Sequence, residues 1–546
     1  LGTNALGSYY PLTGWRATLI RESEERKIPR TMSTQHPDNV NIPQWSTDKI
    51  IDGDAEVYEA NYVYETLGCQ EVMWDSEGKD ADTHVVRKLL NNYWSFFSNR
   101  KIGKDIYLTY RIPNPKIEAV EKKVVLETLQ NIPVTYDIAS VCYKEDIAPI
   151  FEVILPFTTN SSEPIWLFNY YKRAIVGNEE SMIDDQTQAK EWLGTFNPKN
   201  ISVIPLVENY ESIINIDSIV KPYLETVKPK YLRAFIARSD PALNYGLITA
   251  LLLSKIGLSK LKKAEKESGI PIHPIIGVGS KPFRGHLSPE NVDKFLEEYK
   301  GLSTVTIQSA ARYDYPQDQV IEFVKTLNEK LPNNTLTLID PEEEKILLGI
   351  LQKAKSNYES VIEVFAPFVN SISSYVPARR ARKLHIGLFG YSRNVAGVSL
   401  PRAITFASAL YSIGVPPEFI GAKVLEDLTD QEICVLQKHY INIKHDFATV
   451  SGFVSMENIN MLMSMHPRIA KRANMDVDNL RLALTRILAD LKTIEEKLDV
   501  KLGPRTSTQR KHENFTNNFL ISYLEKEDKE ASKALVEAAK LRKCLG

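Results

Sequence analysis

Between about residues 101 and 310, short and almost continuously apolar runs alternate with longer amphipathic stretches, and no other feature constrains the fold as tightly. The runs occupy 106–112, 151–158, 202–207, 231–237, 274–278 and 304–307. A strand sheltered on both faces reads as an unbroken apolar run, the habit of parallel strands packed under helices. The stretches 116–130, 211–227, 243–267 and 289–299 carry helical periodicity. This alternation predicts an α/β fold, a TIM-type (β/α)8 barrel with many additional helices. From about Asp340 to Gly546 strand signals nearly vanish, and helical patterns such as 476–499 take over. The expected organisation is one unit over 27–546, with a barrel core at about 101–410 and a helix-rich C-terminal part at about 411–546. Residues 1–26 read as an N-terminal extension of unassigned role. They lack the basic-then-apolar order of a secretory leader.

Composition excludes several function classes. A formal net charge of -2 gives no electrostatic reason to expect nucleic acid or an anionic membrane. The four cysteines, Cys69, Cys142, Cys434 and Cys544, form no C-x-x-C pair, which argues against a zinc knuckle and fits a reducing cytoplasm. The longest apolar run, near 247–253, is too short to span a bilayer.

In a β/α barrel the reactive groups sit where strands end and loops begin. Polar residues of this chain gather at those places. Arg111 ends one run and Glu208 another, Arg238-Ser239-Asp240 follow a third, the glycine-containing loop 277–286 with Arg284 follows a fourth, and Gln308 and Arg312 follow a fifth. One charged strand end means little, because such groups are often simply solvated; five form a constellation. Glu208 and Asp240 offer the hard oxygen ligands that suit Mg²⁺, with Mn²⁺ as a substitute, although two salt-bridge acids would read the same way. Arg111, Arg238, Arg284, Arg312, Arg379, Arg380, Arg393 and Arg402 stand in or near turns and strand ends, and guanidinium forks match carboxylates and phosphates. The segments 281–287 and 310–317 are candidate lids. His36 lies in Arg30-Thr-Met-Ser-Thr-Gln-His36-Pro37-Asp38-Asn39, a polar stretch without apolar periodicity. The following proline restricts the histidine to extended backbone, a setting for proton handling or anion contact, or for an ordinary surface loop.

The opening Ile28-Pro-Arg-Thr-Met-Ser-Thr-Gln-His36-Pro-Asp-Asn39 resembles the start of archaeal-type phosphoenolpyruvate carboxylases. The resemblance continues through Val203-Ile-Pro-Leu-Val-Glu208, Arg238-Ser-Asp240, Gly279-Ser-Lys-Pro-Phe-Arg284-Gly285, Gly390-Tyr-Ser-Arg393 and Leu400-Pro-Arg402-Ala-Ile404. It implies carboxylation of phosphoenolpyruvate by bicarbonate to oxaloacetate, Mg²⁺ dependence, a cytoplasmic location and a homotetramer built as a dimer of dimers. It also implies residue roles. His36 matches the catalytic histidine of a Thr-x-His-Pro motif, Glu208 and Asp240 match metal ligands, and Arg393 matches an arginine holding the substrate phosphate. Arg380 matches an arginine near the bicarbonate-derived group, with Arg379 the neighbour in register. Arg111, Arg238, Arg284, Arg312, Arg402 and Gln308 are then candidate substrate-binding residues. Leu243 stands where the larger enzymes of the family place a lysine, and 544–546 lack the asparagine-containing tail those enzymes use in feedback inhibition. Rival readings are another Mg²⁺-dependent barrel lyase or mutase acting on phosphoenolpyruvate or an oxo-acid, and a catalytically silent anion-binding scaffold.

Overall fold

The computed structural model describes residues 26–118, 120, 122–332, 336–381, 394–395 and 397–546. Eight parallel strands close into a barrel in sequence order: β1 (Thr31–Ser33), β2 (Glu71–Asp75), β3 (Tyr107–Arg111), β4 (Glu152–Leu155), β5 (Ser202–Val207), β6 (Leu232–Ala237), β7 (Ile272–Gly277) and β8 (Thr304–Ile307). Pairing of β1 with β8, Thr31 opposite Val305 and Ser33 opposite Ile307, completes the ring. Six strands fall on the apolar runs of the sequence. The barrel nevertheless begins at Thr31 rather than near residue 101, and its last strand ends at Ile307, well short of 410. The sequence hides β1 because it is three residues long and two of them, Thr31 and Ser33, are polar. It hides β2 because Glu71 and Asp75 bracket a three-residue apolar centre.

Inward-facing residues alternate between strands, so the interior fills in layers. The lowest layer comes from the even strands: Glu71, Glu152, Arg233 and Thr304. Arg233 donates to both oxygens of Glu71 (2.8 and 2.6 Å), to Glu152 (3.1 Å) and to the Thr304 hydroxyl (3.3 Å). Above this floor lie Met32, Met73, Ile154, Ile204, Leu206, Phe235, Ala237 and Ile275. Gly277 caps that cluster for steric reasons. A Cβ there would stand 2.9 Å from the Phe235 ring.

The helix-rich C-terminal part packs on the same core. Helix Pro341–Ser373 starts at the N-cap Asp340, whose carboxylate accepts from the Glu343 amide at 2.9 Å. Three glutamates in its first turn complement the helix dipole. This helix packs against Leu247–Ser268 behind the barrel and against Ala403–Ser412 and Val477–Leu498. The last residues fold back to the barrel: the Leu545 amide donates to the Asp38 carbonyl (2.8 Å), and Arg284 donates to the Gly546 carbonyl (2.7 Å). Among the described residues, the only strands beyond β8 are the two-residue pair Asn394–Val395 and Val398–Ser399. No single described helix is long and apolar enough to cross a membrane.

Candidate active site

The C-terminal ends of the strands open into a cavity of about 850 Å³, its open mouth included. His36 stands beyond β1, Glu77 beyond β2, Arg111 ends β3, Glu208 follows β5, Ser239 and Asp240 follow β6, and Gln308 follows β8. Arg284 reaches in from the loop after β7, and Arg402, Ala403 and Ile404 supply a wall from the helix-rich part. Residues separated by more than 350 positions thus face one space. The fold does this because each strand delivers its last side chain to the same rim.

The His36 loop is held mainly by the segment that follows the neighbouring strand β8. The His36 carbonyl accepts from the Ser309 hydroxyl at 2.6 Å, and its ring Nδ1 lies 3.0 Å from Thr34 Oγ1. Gln35 accepts from the Asp75 amide at 3.1 Å. The buried Asp38 carboxylate accepts from the Ala310 amide (2.7 Å) and Arg284 (3.0 Å). Asp314 accepts the amides of Val40 and Asn41, both at 2.8 Å. Burial pushes the Asp314 carboxyl up to about 7 in spite of those two donors. The stiffness expected from Pro37 is therefore reinforced by hydrogen bonds to 309–314.

Arg111 is held by a carboxylate fork. It meets Asp75 through two bonds of 2.9 and 2.8 Å and Glu77 at 2.8 Å. Burial alone would raise the Asp75 carboxyl. The Arg111 charge and hydrogen bond, with Lys79 and His36 nearby, outweigh it and hold Asp75 at about 2. Asp75 and Glu77 escaped the sequence reading, although the rule that strand ends carry the polar groups would have found them had β2 been recognised.

The predicted arginines separate into two groups. Arg111, Arg284 and Arg402 line the cavity with Gln308, and Arg284 also donates to Gln308 and to the Ser239 hydroxyl (3.2 Å). The others are engaged elsewhere. Arg238 borders the cavity, but its guanidinium turns to the Tyr299 hydroxyl (3.1 Å) and the carbonyls of Phe283 and Leu247 (both 3.3 Å). Arg312 donates to Ser33, to the Thr34 carbonyl (2.9 Å) and to Glu59 (3.1 Å). Arg379 donates to the carbonyls of Asn39 (3.3 Å) and Val40 (2.8 Å), and Arg380 grips Glu59 at 2.6 and 2.5 Å. Arg312, Arg379 and Arg380 do not line the cavity. Arg393 lies outside the described residues.

Glu208 and Asp240 face the cavity together, one buried and one half-buried. Two carboxylates beside arginines and a solvent-reachable space fit a hard divalent cation that keeps waters and takes its remaining ligands from a phosphate-bearing substrate. Among the described residues no group of three or more His, Cys, Asp or Glu side chains is gathered around a metal-sized point, so a closed all-protein cage is not the pattern here. The two segments read as candidate lids are pinned. Gly279 and Arg284 are joined by a backbone bond of 2.7 Å, the Phe283 amide donates to Glu418 (3.1 Å), and 309–313 form a helical turn. Gly285 at φ +114° makes the first turn feasible, since a Cβ there would strike Val278 at 2.4 Å.

A family profile described as phosphoenolpyruvate carboxylase matches residues 28–546. Three archaeal proteins named phosphoenolpyruvate carboxylase align along nearly their whole length. The chain is 44% identical over 524 residues to that of Metallosphaera sedula, covering 95% of this chain and 100% of the relative. It is 45% identical over 521 residues to that of Caldivirga maquilingensis, with coverage of 95% and 100%. With that of Picrophilus torridus it shares 43% over 521 residues, covering 95% and 99%.

Proposed function

The chain belongs to the phosphoenolpyruvate carboxylase family, and from that premise we propose how its own residues divide the reaction. The enzyme joins phosphoenolpyruvate and bicarbonate to give oxaloacetate and phosphate. Bicarbonate attacks the phosphate, forming carboxyphosphate and the enolate of pyruvate. Carboxyphosphate yields CO₂ and phosphate, and CO₂ adds to the enolate carbon.

Glu208 and Asp240 are the residues that would hold Mg²⁺ or Mn²⁺, whose charge, when bound, offsets negative charge on phosphate and enolate oxygens. Arg111, Arg284 and Arg402 face the same space as donors to substrate oxygens, the charge of Arg111 shared with Asp75 and Glu77 and that of Arg284 with Asp38, and Gln308 adds a polar contact. Arg393, by its place in Gly390-Tyr-Ser-Arg393, is assigned to the substrate phosphate. His36 sits on the β1–β8 side of the cavity and is assigned to the carboxylation half, organising carboxyphosphate and the CO₂ it releases. A pinned wall limits bulk water, which would otherwise protonate the enolate to pyruvate.

The observation that carries this reading is the meeting of His36, Arg111, Glu208, Asp240, Arg284 and Arg402 around one cavity. The test is bicarbonate-dependent phosphate release coupled to oxaloacetate, assayed with His36→Asn beside the wild type. The variant keeps phosphate release and diverts the enolate to pyruvate. A wild-type ratio of oxaloacetate to phosphate in His36→Asn overturns the assignment. We assign the enzyme to the cytoplasm and to a homotetramer, a dimer of dimers. Exposed Trp166 (67%), on helix Ser162–Tyr170, and Trp192 (74%) with Leu193 (56%), on Ala189–Leu193, are large apolar side chains available for self-association.

A further inference from the structure

We propose that Glu59, on helix Gly53–Glu65, is a positioning residue for His36, an inference that rests on the role of His36 given above. Glu59 is buried and joins two elements that approach the cavity without lining it. Its carboxylate accepts from Arg380 at 2.6 and 2.5 Å, from Arg312 at 3.1 Å and from the Tyr313 hydroxyl at 2.7 Å. Burial would raise its pKa, but Arg380 and Arg312 reverse the effect and hold the carboxyl below its ordinary value, so the bridge is ionic at neutral pH.

From Arg312 the path to His36 is short. One guanidinium nitrogen donates to Ser33. The other donates to the Thr34 carbonyl (2.9 Å) and the Ser309 hydroxyl (3.3 Å). Thr34 Oγ1 lies 3.0 Å from the His36 ring, and Ser309 Oγ donates to the His36 carbonyl. Ring and main chain of His36 are therefore each one residue from the Arg312 fork. Glu59 is the carboxylate that compensates the charge of that fork, bonded to the same nitrogen that reaches Thr34 and Ser309.

Glu59 also separates like charges. Arg312 and Arg380 are both buried, and Glu56, the other acid on Arg380 at 3.4 Å, is already shared with Lys79 at 2.6 Å. Without the Glu59 charge Arg312 retains only neutral acceptors and faces Arg380 across an uncompensated gap. The same bridge ties the His36 loop to the segment of Arg379 and Arg380, whose backbone meets Ile51 (amide to Arg379 carbonyl, 3.1 Å).

The experiment is the full enzyme carrying Glu59→Gln, assayed for phosphate, pyruvate and oxaloacetate beside His36→Asn and the double variant. Glu59→Gln raises the pyruvate-to-oxaloacetate ratio several-fold while KM for phosphoenolpyruvate stays within about twofold, because no cavity-lining group is touched. In the double variant the ratio equals that of His36→Asn alone, since a misplaced His36 and an absent one cannot add. Arg312→Lys, which keeps the charge but loses the planar fork, moves the ratio the same way and serves if Glu59→Gln does not fold. If His36→Asn shifts the ratio while Glu59→Gln and Arg312→Lys leave it at the wild-type value, the positioning role is wrong and the His36 assignment stands. If His36→Asn leaves the ratio unchanged, the assignment fails and the positioning role fails with it.

Discussion

Glu418 sets a pH dependence of stability that a single isosteric change should remove. It lies in the turn Pro417–Phe419 with 1% exposure, and one oxygen accepts from the Phe283 amide (3.1 Å) and the Tyr411 hydroxyl (2.8 Å). The other oxygen is buried with no hydrogen-bond partner among the described residues. Burial raises this carboxyl from the ordinary 4.5 to about 7, against the pull of the backbone donors, Tyr411 and Lys281. Below the unfolded value both states hold the proton. As pH rises from there towards 7 the unfolded chain ionises while the folded one does not, so stability falls; above 7 both are ionised and the loss is complete. A displacement of this size corresponds to about 3 kcal/mol at roughly 1.4 kcal/mol per unit. Glu418→Gln keeps the accepting oxygen and cannot ionise. Relative to wild type it should therefore gain about 3 kcal/mol between pH 4.5 and pH 8.5. At roughly 2 cal/mol/K per residue, that is a relative rise in Tm of ~3 °C for a chain of this length. The measurement is Tm against pH for both proteins, reading the change in their difference rather than its absolute value. A difference constant across that range would falsify the buried-carboxyl account.

Other outcomes follow from the floor and rim of the barrel. Glu208→Ala and Asp240→Ala each abolish Mg²⁺- or Mn²⁺-dependent turnover with an unchanged circular dichroism spectrum; a fully active Asp240→Ala enzyme removes the metal-site assignment. Arg233→Leu strands Glu71 and Glu152 in the barrel floor and lowers stability by about 3–5 kcal/mol, checked by denaturant unfolding; a loss below about 1 kcal/mol would show that the triad is not held as described. Arg393→Ala raises the phosphoenolpyruvate concentration needed for half-maximal rate and lowers phosphate and oxaloacetate together, in contrast to His36→Asn. Sedimentation at working concentration gives a tetramer, and Trp192→Glu shifts it towards smaller species if helix Ala189–Leu193 lies at an interface; a stable active monomer of the wild type refutes the assembly.

The six strands from β3 to β8 were legible in the sequence because burial on both faces leaves no room for polar side chains, and that physical demand writes itself into consecutive residues. The same logic placed Arg111, Glu208, Asp240 and Gln308 at strand ends, and all four line the cavity. Short strands escape it. β1 has too few residues to make a run, and β2 is disguised by Glu71 and Asp75, whose partners Arg233 and Arg111 come from other strands. The arginines were legible only in part: Arg111, Arg284 and Arg402 line the cavity, whereas Arg312, Arg379 and Arg380 do not. In sequence Arg312 and Arg380 look like Arg111 and Arg284, since a guanidinium fork accepts a substrate anion and a buried carboxylate equally well. Which it meets depends on Glu59, brought from 253 and 321 residues away by the packing of one helix. The sequence by itself determined the barrel, because local periodicity reports burial. Only the tertiary structure decided which charges face the cavity and which hold its walls, because pairing of charges is a property of distance in space.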